Sequence, residues 1–312
     1  MKEHTLTKGS VGKGILLFVL PIIVGSLIQQ LYVTIDAVVV GQFTGKLGLA
    51  AIDSVHTLFK FPLNFMNGLA SGATIIISGH CGSKDEKQMH CSIRTACTVA
   101  VILGVICSVG GVLLTPWMLN VMSVPETVYG RAFAYTCIYF GGIWSMVLYN
   151  MAAGILRAYG DSKRPLYYLI VCCIINIVLD VLFVIVFHMG VMGVAVATLI
   201  AQAVSAVLVT LKLMRSEGIL KLSVKQIRFH GSILKMQLKL GLPTGFEAIL
   251  FSITNIAIQS AVNTFGTDTT AAWSAYGKLD AIFWMVSTAF GIAITTFVGQ
   301  NYGAGKMDRV RK

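Results

Sequence analysis

Leu20-Pro21 opens a long apolar stretch that closes in the polar run Gly79-His80-Cys81-Gly82-Ser83-Lys84. Leu242-Pro243 opens a second stretch, which closes in Gly299-Gln300-Asn301-Tyr302-Gly303-Ala304-Gly305-Lys306. The openings are offset by 222 residues and the closing glycines by 220. Literal identity between the copies is low, so what repeats is the punctuation. Such a repeat in an apolar chain points to a membrane protein built from two lobes, a plan common among transporters.

The composition supports a membrane chain. Of 312 residues, 56% are hydrophobic and 12% charged, with a mean hydropathy of +0.79. Soluble domains carry about a quarter charged residues. A helix needs about 20 apolar residues to cross a bilayer. Eight runs meet that length, at 15–41, 49–78, 95–117, 131–154, 165–188, 191–212, 239–264 and 270–298. The predicted fold is therefore all-α, a polytopic transmembrane helical bundle. The first run is too long for a cleavable signal peptide and leads straight into a second span.

The net charge of +11 would suggest nucleic acid as a partner if the chain were soluble, but its distribution argues otherwise. Twenty of the 24 basic residues lie at the N-terminus, in the connections after the second, fourth and sixth spans, and in the tail after the eighth. By the positive-inside rule this places both ends in the cytoplasm. The charge is a topology signal, and no nucleic-acid partner is expected. Seven cysteines show no paired framework, and His80-Cys81 and His90-Cys91 match no standard zinc spacing.

Residues 1–215 read as a six-helix lobe. Residues 216–238 form a basic connection whose Ile219, Leu220, Leu222, Val224 and Ile227 fit an amphipathic helix on the cytoplasmic surface. Residues 239–312 read as the first two helices of a second lobe. Six helices separate the copies, so both enter from the same face, as parallel repeats do.

Asp36 and Asp180 each interrupt an apolar run, Leu31-Tyr-Val-Thr-Ile-Asp-Ala-Val-Val-Val40 and Ile174-Ile-Asn-Ile-Val-Leu-Asp-Val-Leu-Phe183. A carboxylate in the membrane interior costs several kcal/mol unless paired, hydrated or protonated, which makes each a candidate functional residue. Gln29, Tyr32 and Asp36 lie at i, i+3 and i+7, on one face of their helix. Asn176 with Asp180, and Thr198 with Gln202, are each four apart. Such a set can share a proton or ligate a small hard cation such as Na⁺. It can equally form an interhelical hydrogen-bond cluster that holds the bundle together. Pro21 and Pro62 permit either a hinge or a static kink. Glu247, four residues past Pro243, has Lys239 as a candidate partner. No HExxH, GxSxG or Ser/Lys dyad is present, so no enzyme is expected.

Gly154-Ile-Leu-Arg-Ala-Tyr-Gly-Asp-Ser-Lys-Arg-Pro165, followed by Asn176-Ile-Val-Leu-Asp180 and Gly190-Val-Met-Gly-Val-Ala-Val-Ala-Thr198, resembles the fourth-to-sixth helix region of the multidrug and toxic compound extrusion (MATE) transporters. Asp36 and the run Phe297-Val-Gly-Gln-Asn-Tyr-Gly-Ala-Gly-Lys306 fit the DinF-like bacterial branch. The resemblance implies an antiporter with two six-helix lobes around a central cleft. It would export lipophilic, often cationic or amphiphilic, compounds across the bacterial inner membrane by alternating access, in exchange for H⁺ or Na⁺. It implies no cofactor, no metal beyond Na⁺, and a monomer at full length. Carried over by position, the cation-coupling site falls on Asp36, Asn176, Asp180 and Thr198. Gln29, Tyr32 and Gln202 line the substrate cavity, and Pro21 marks the bend of helix 1.

Two departures stand out. The NorM-like branch has a glutamate deeper in helix 7, where this chain has Phe251 and Ser252. The family has twelve helices and eight are read here, so a C-terminally truncated form is expected. One alternative is a lipid-linked oligosaccharide flippase of the same superfamily, whose cleft would be basic; another is a non-transporting fragment. The few basic residues outside the cytoplasmic positions, Lys46, Lys60, Arg131 and Lys278, stand against two buried acids and favour a cationic substrate. At the repeat offset Asp36 falls on Ile258 and Gln29 on Phe251, so the expected coupling site belongs to the first lobe alone.

Overall fold

The structure is a computed structural model that describes residues 6–216 and 230–312. The amphipathic helix expected over 219–227 lies outside the described residues. Among those described, every regular element is a helix: α1 (Val11–Ser83), α2 (Glu86–Val121), α3 (Glu126–Ala158), α4 (Lys163–Asp180), α5 (Val191–Arg215), α6 (Gly231–Asn263), α7 (Thr267–Gly303) and the short α8 (Met307–Val310). Helices satisfy their own backbone groups, which is what a membrane-spanning segment requires. α6 begins at Gly231, ahead of the start at residue 239 read from hydropathy, because apolarity marks the membrane segment and not the helix that extends beyond it.

Two of the expected spans, 15–41 and 49–78, fall within α1, whose helical path breaks at Gly45 (φ 70°, ψ −167°). A positive φ of this kind is accessible to glycine at little cost. Leu6, Thr7 and Gly9, just before α1, and Gly79 and Gly82 near its end all meet the last turns of α7 and α8. The chain therefore reverses at Gly45 and α1 is a pair of arms, 11–44 and 46–83. Seven of the described helices are long and apolar enough to cross a membrane. The second arm is the expected eighth. It is helical but less apolar, since it carries Lys60, Asn64 and Asn67.

The Gly160-Asp161 turn follows from its residues. Gly160 takes φ 99°, the Gly160 N–H donates to Arg157 O at 2.8 Å, and the Asp161 N–H donates to Leu156 O at 2.9 Å, closing α3 in a left-handed cap. The Asp161 carboxylate then accepts from the Lys163 and Arg164 N–H groups at 3.2 and 3.1 Å, opening α4, with Pro165 in its first turn.

α1 is the hub of the bundle and packs against α2 through α7. One apolar core joins its second arm to α2, α3, α4 and α5 around Ile77, Ile93, Ile155 and Leu213. The contact with α6 is made by glycines. A Cβ at Gly68 would meet the backbone of Gly245, and one at Gly72 the backbone of Gly241. Each pair is a G-x-x-x-G motif, so the two helices cross at backbone contact. A third such pair, Gly299 and Gly303 of α7, lies against Ser78 and Gly79.

Candidate functional site

Three helices deliver the polar residues found in the apolar runs. α1 carries Tyr32 and Asp36 on its first arm, α4 carries Asn176 and Asp180 in its last two turns, and α5 carries Thr198 and Gln202. Thr198 Oγ1 donates to Asp36 Oδ2 at 3.5 Å, and Asn176 Nδ2 donates to Thr198 Oγ1 at 3.4 Å. The Asp36 and Asp180 carboxyls lie within hydrogen-bonding reach of each other. Asp180 is 0% exposed and Asn176 1%, whereas Asp36 and Thr198 are half-buried.

These contacts leave oxygens over. Asp36 Oδ1, Asn176 Oδ1 and both Asp180 oxygens accept from no donor group of the protein. Buried polar groups are almost always paired, so a cluster of unsatisfied oxygens is an electron-rich site suited to a proton or a hard cation. A cavity of about 10 Å³ beside Thr198, Gln202 and Tyr139 has room for one water-sized group. A larger apolar cavity of about 450 Å³ lies elsewhere, between α2, α3 and the second arm of α1, beside Pro62, Trp117 and Phe140.

Gln202 Nε2 donates to the Tyr32 hydroxyl at 3.4 Å, and Gln29, exposed one turn earlier on α1, is within hydrogen-bonding reach of the same hydroxyl. The structure thus brings Gln29, Tyr32 and Gln202 into one polar chain beside the carboxyl pair. Pro21 lies inside α1 and is half-buried. Glu247 is exposed on α6, and among the described residues it forms no ion pair. The pairing with Lys239 fails on geometry: eight residues of α-helix separate the two by about 12 Å along the axis. Among the described residues no cysteine forms a disulfide, and no group of three or more His, Cys, Asp or Glu could hold a metal.

Sequence reading missed the aromatic wall. Tyr135 and Tyr139, one turn apart on α3, both stand close to Asp36, and Phe59 stacks on Tyr139 with ring centroids 3.9 Å apart. Their i, i+4 spacing was a signal, though one shared with any aromatic helix face. Also unforeseen is the path after Asp180. Val181–Val186 form a π-helical turn, with the Phe187 N–H donating to Leu182 O at 3.0 Å. Such turns are frequent at functional sites.

The sequence profile of the MatE family matches residues 21–182 and 243–312, which takes in α4, most of α1 and the Asp36–Asp180 pair. The chain belongs to the MatE family. It is 31% identical over 313 residues to a probable multidrug resistance protein YoeA of Bacillus subtilis, covering 98% of this chain and 68% of YoeA. A second Bacillus subtilis protein, the probable multidrug resistance protein YpnP, is 32% identical over 311 residues, covering 99% of this chain and 69% of its own. The fold matches that of a MOP-superfamily transporter from Pyrococcus furiosus with a TM-score of 0.92 at 23% identity, over 100% of this chain and 69% of that one. The MatE fold is thus shared with a multi-helix membrane transporter.

Proposed function

We propose that this MatE chain exports lipophilic, cationic compounds in exchange for H⁺ or Na⁺ by alternating access. Asp36, Asn176, Asp180 and Thr198 bind the coupling ion, and Gln29, Tyr32 and Gln202 line the adjoining substrate cavity. The observation that carries this reading is the pairing of Asp36 with Asp180 among apolar helices, with four side-chain oxygens left without donors. Two negative charges about 4 Å apart repel by about 4 kcal/mol at an effective dielectric of about 20, and a proton or cation between them removes that penalty. The ion therefore holds the first arm of α1 to α4 and α5, and its departure loosens that contact. Pro21 supplies a bend in the same arm.

A cavity that carries net negative charge once the ion leaves suits a cationic substrate. The names of YoeA and YpnP agree with drug-like compounds as cargo. The clustering of basic residues supports an orientation with both ends on the cytoplasmic side of a bacterial inner membrane. The protein works as a monomer in this reading. Residues 1–215 form one lobe, and α6 and α7 begin the other. No cofactor takes part.

The test is Asp36→Asn. Efflux of a fluorescent cationic dye driven by an imposed H⁺ or Na⁺ gradient should be lost, with membrane insertion unchanged. Undiminished gradient-driven efflux overturns the assignment.

A further inference from the structure

The second arm of α1 and α6 change the character of their contact along its length. Toward the basic end they touch backbone to backbone, Gly72 on Gly241 and Gly68 on Gly245, and the Phe65 ring stands edge-on to Phe246 with centroids 5.7 Å apart. One turn further toward Gly45 the contact turns polar, and Asn64 Nδ2 donates to Ser252 Oγ at 3.3 Å. Past that bond the α6 surface is open, and every residue from Ile253 to Ile258 is exposed. Lys60 and Asn255, each about one turn beyond the bonded residue of its own helix, are both exposed on this side. A polar groove thus begins where the tight packing ends, and it runs toward the Gly45 turn.

The α1 side of the groove carries separated charges. Asp53, His56, Lys60 and Asn64 follow at i, i+3, i+7 and i+11 and share one helix face. Asp53, His56 and Lys60 are exposed, and neither Asp53 nor Lys60 forms an ion pair among the described residues. They cannot pair with each other, since two turns of helix set them about 10 Å apart along the axis. Lys60 lies about 22 Å of helix from Gly45 and about 36 Å from Lys84. Its ammonium is therefore deep within a hydrocarbon layer about 30 Å thick. A four-carbon stem does not reach the headgroups from there, so snorkelling does not account for the charge. An ammonium at this depth needs a counter-charge, and this chain's described residues supply none beside it.

We propose that this groove is a cargo site for an elongated zwitterion, which sets its carboxylate on Lys60 and its cationic group on Asp53. The proposal rests on the export reading above and adds an anionic group to the lipophilic cation. The carboxylate brings the charge that Lys60 lacks, and the His56 ring and the Asn255 amide stand near it as further donors. Asp53 repels that end of the cargo and attracts the other, so the molecule lies along α1 with its cationic end toward the Gly45 turn. A simple cation would engage Asp53 alone, and a simple anion would meet Asp53 as a repulsive neighbour. The groove is distinct from the Asp36–Asp180 pair, whose partner Thr198 stands on α5 within the first lobe.

Two dyes test this on the intact chain in lipid nanodiscs. Rhodamine B is a zwitterion with one carboxylate, and its ethyl ester keeps the cation and loses the anion. Binding is followed by fluorescence anisotropy. Wild-type protein should bind rhodamine B about tenfold more tightly than the ester, the discrimination expected of one hydrogen bond to a charged group. Lys60→Gln should bring the ratio of the two affinities close to one, Lys60→Arg should preserve it, and Asp53→Asn should weaken the binding of both dyes. A wild-type ratio near one, or a ratio that Lys60→Gln leaves unchanged, overturns the inference. Loss of the ratio in Lys60→Arg as well would mark a structural lysine and overturns it too. Gradient-driven efflux of the ester from proteoliposomes tests the export reading separately, because the ester carries no group for Lys60. Its absence in wild type overturns that reading, while the binding ratio decides the groove alone.

Discussion

Thr198 Oγ1 donates to Asp36 Oδ2 at 3.5 Å while accepting from Asn176 Nδ2 at 3.4 Å, so one hydroxyl ties α1 to α4 through α5. The hydroxyl can fill both roles because its single proton points to the carboxylate and a lone pair faces the amide.

Thr198→Val keeps the shape and removes both bonds. Leaving buried partners unsatisfied costs about 1–3 kcal/mol. We expect a lower melting temperature and weaker coupling-ion dependence than in wild type, with Thr198→Ser close to wild type. Equal melting temperatures for Val and Ser at this position would show that the hydroxyl carries no structural weight.

A cation held between Asp36 and Asp180 stabilises the folded state by mass action, by about 2.7 kcal/mol at a hundredfold excess over its Kd. Wild-type protein should therefore melt at a higher temperature in Na⁺ or at low pH than in choline at neutral pH, and Asp180→Asn should flatten that dependence. Melting followed by intrinsic fluorescence across the four conditions measures both effects and separates Na⁺ from H⁺.

Gly72→Val drives a side chain into the backbone of Gly241, where neither helix can yield without separating. Overpacking of this kind costs about 1–3 kcal/mol. Gly79→Ala is the matched control, since a Cβ there meets nothing within 4 Å. The valine variant should melt lower and expose α6 to faster hydrogen exchange, and the alanine variant should do neither.

Gln300→Leu removes the acceptor for the Leu6 N–H and the donor to Ala158 O at once. Hydrogen exchange in the peptide containing Leu6–Gly9 should quicken several-fold while α2 is unaffected. Unchanged exchange would mean that Arg309 and Lys306 hold that segment without it.

Much of the bundle and of the acid cluster was legible because both depend on contrasts in the sequence. An acid in an apolar run stands out, and the spacing of Asn176, Asp180, Thr198 and Gln202 assigns each to a helix face before any neighbour is known. Tyr135 and Tyr139 did not stand out, because α3 also carries Tyr129, Phe133 and Phe140 and an aromatic is at home in any apolar core. Gln300 and Asn301 were read as part of a polar closing run, yet both are 0% exposed. Their polarity serves backbone carbonyls and the Leu6 N–H rather than water, and composition cannot tell those partners apart. The facing glycine pairs at 68/72 and 241/245 went unread, although each has the G-x-x-x-G spacing. Which helix met which was a property of the tertiary arrangement.

The wide turn from Val181 to Val186 has an arithmetic consequence. A π-helical turn holds one residue more than an α-helical path of equal rise, and in an α-helix one residue corresponds to about 100° of rotation. Shortening 181–186 by a single residue would let the segment relax into an ordinary α-helix with its backbone bonds intact and Asp180 undisturbed. What would change is the phase of the residues that follow, up to the break at His188 (φ 52°) and Gly190 (φ 59°) that precedes α5. The spare residue thus acts as a vernier at the end of α4, setting the angle at which the chain leaves Asp180 for the turn into α5.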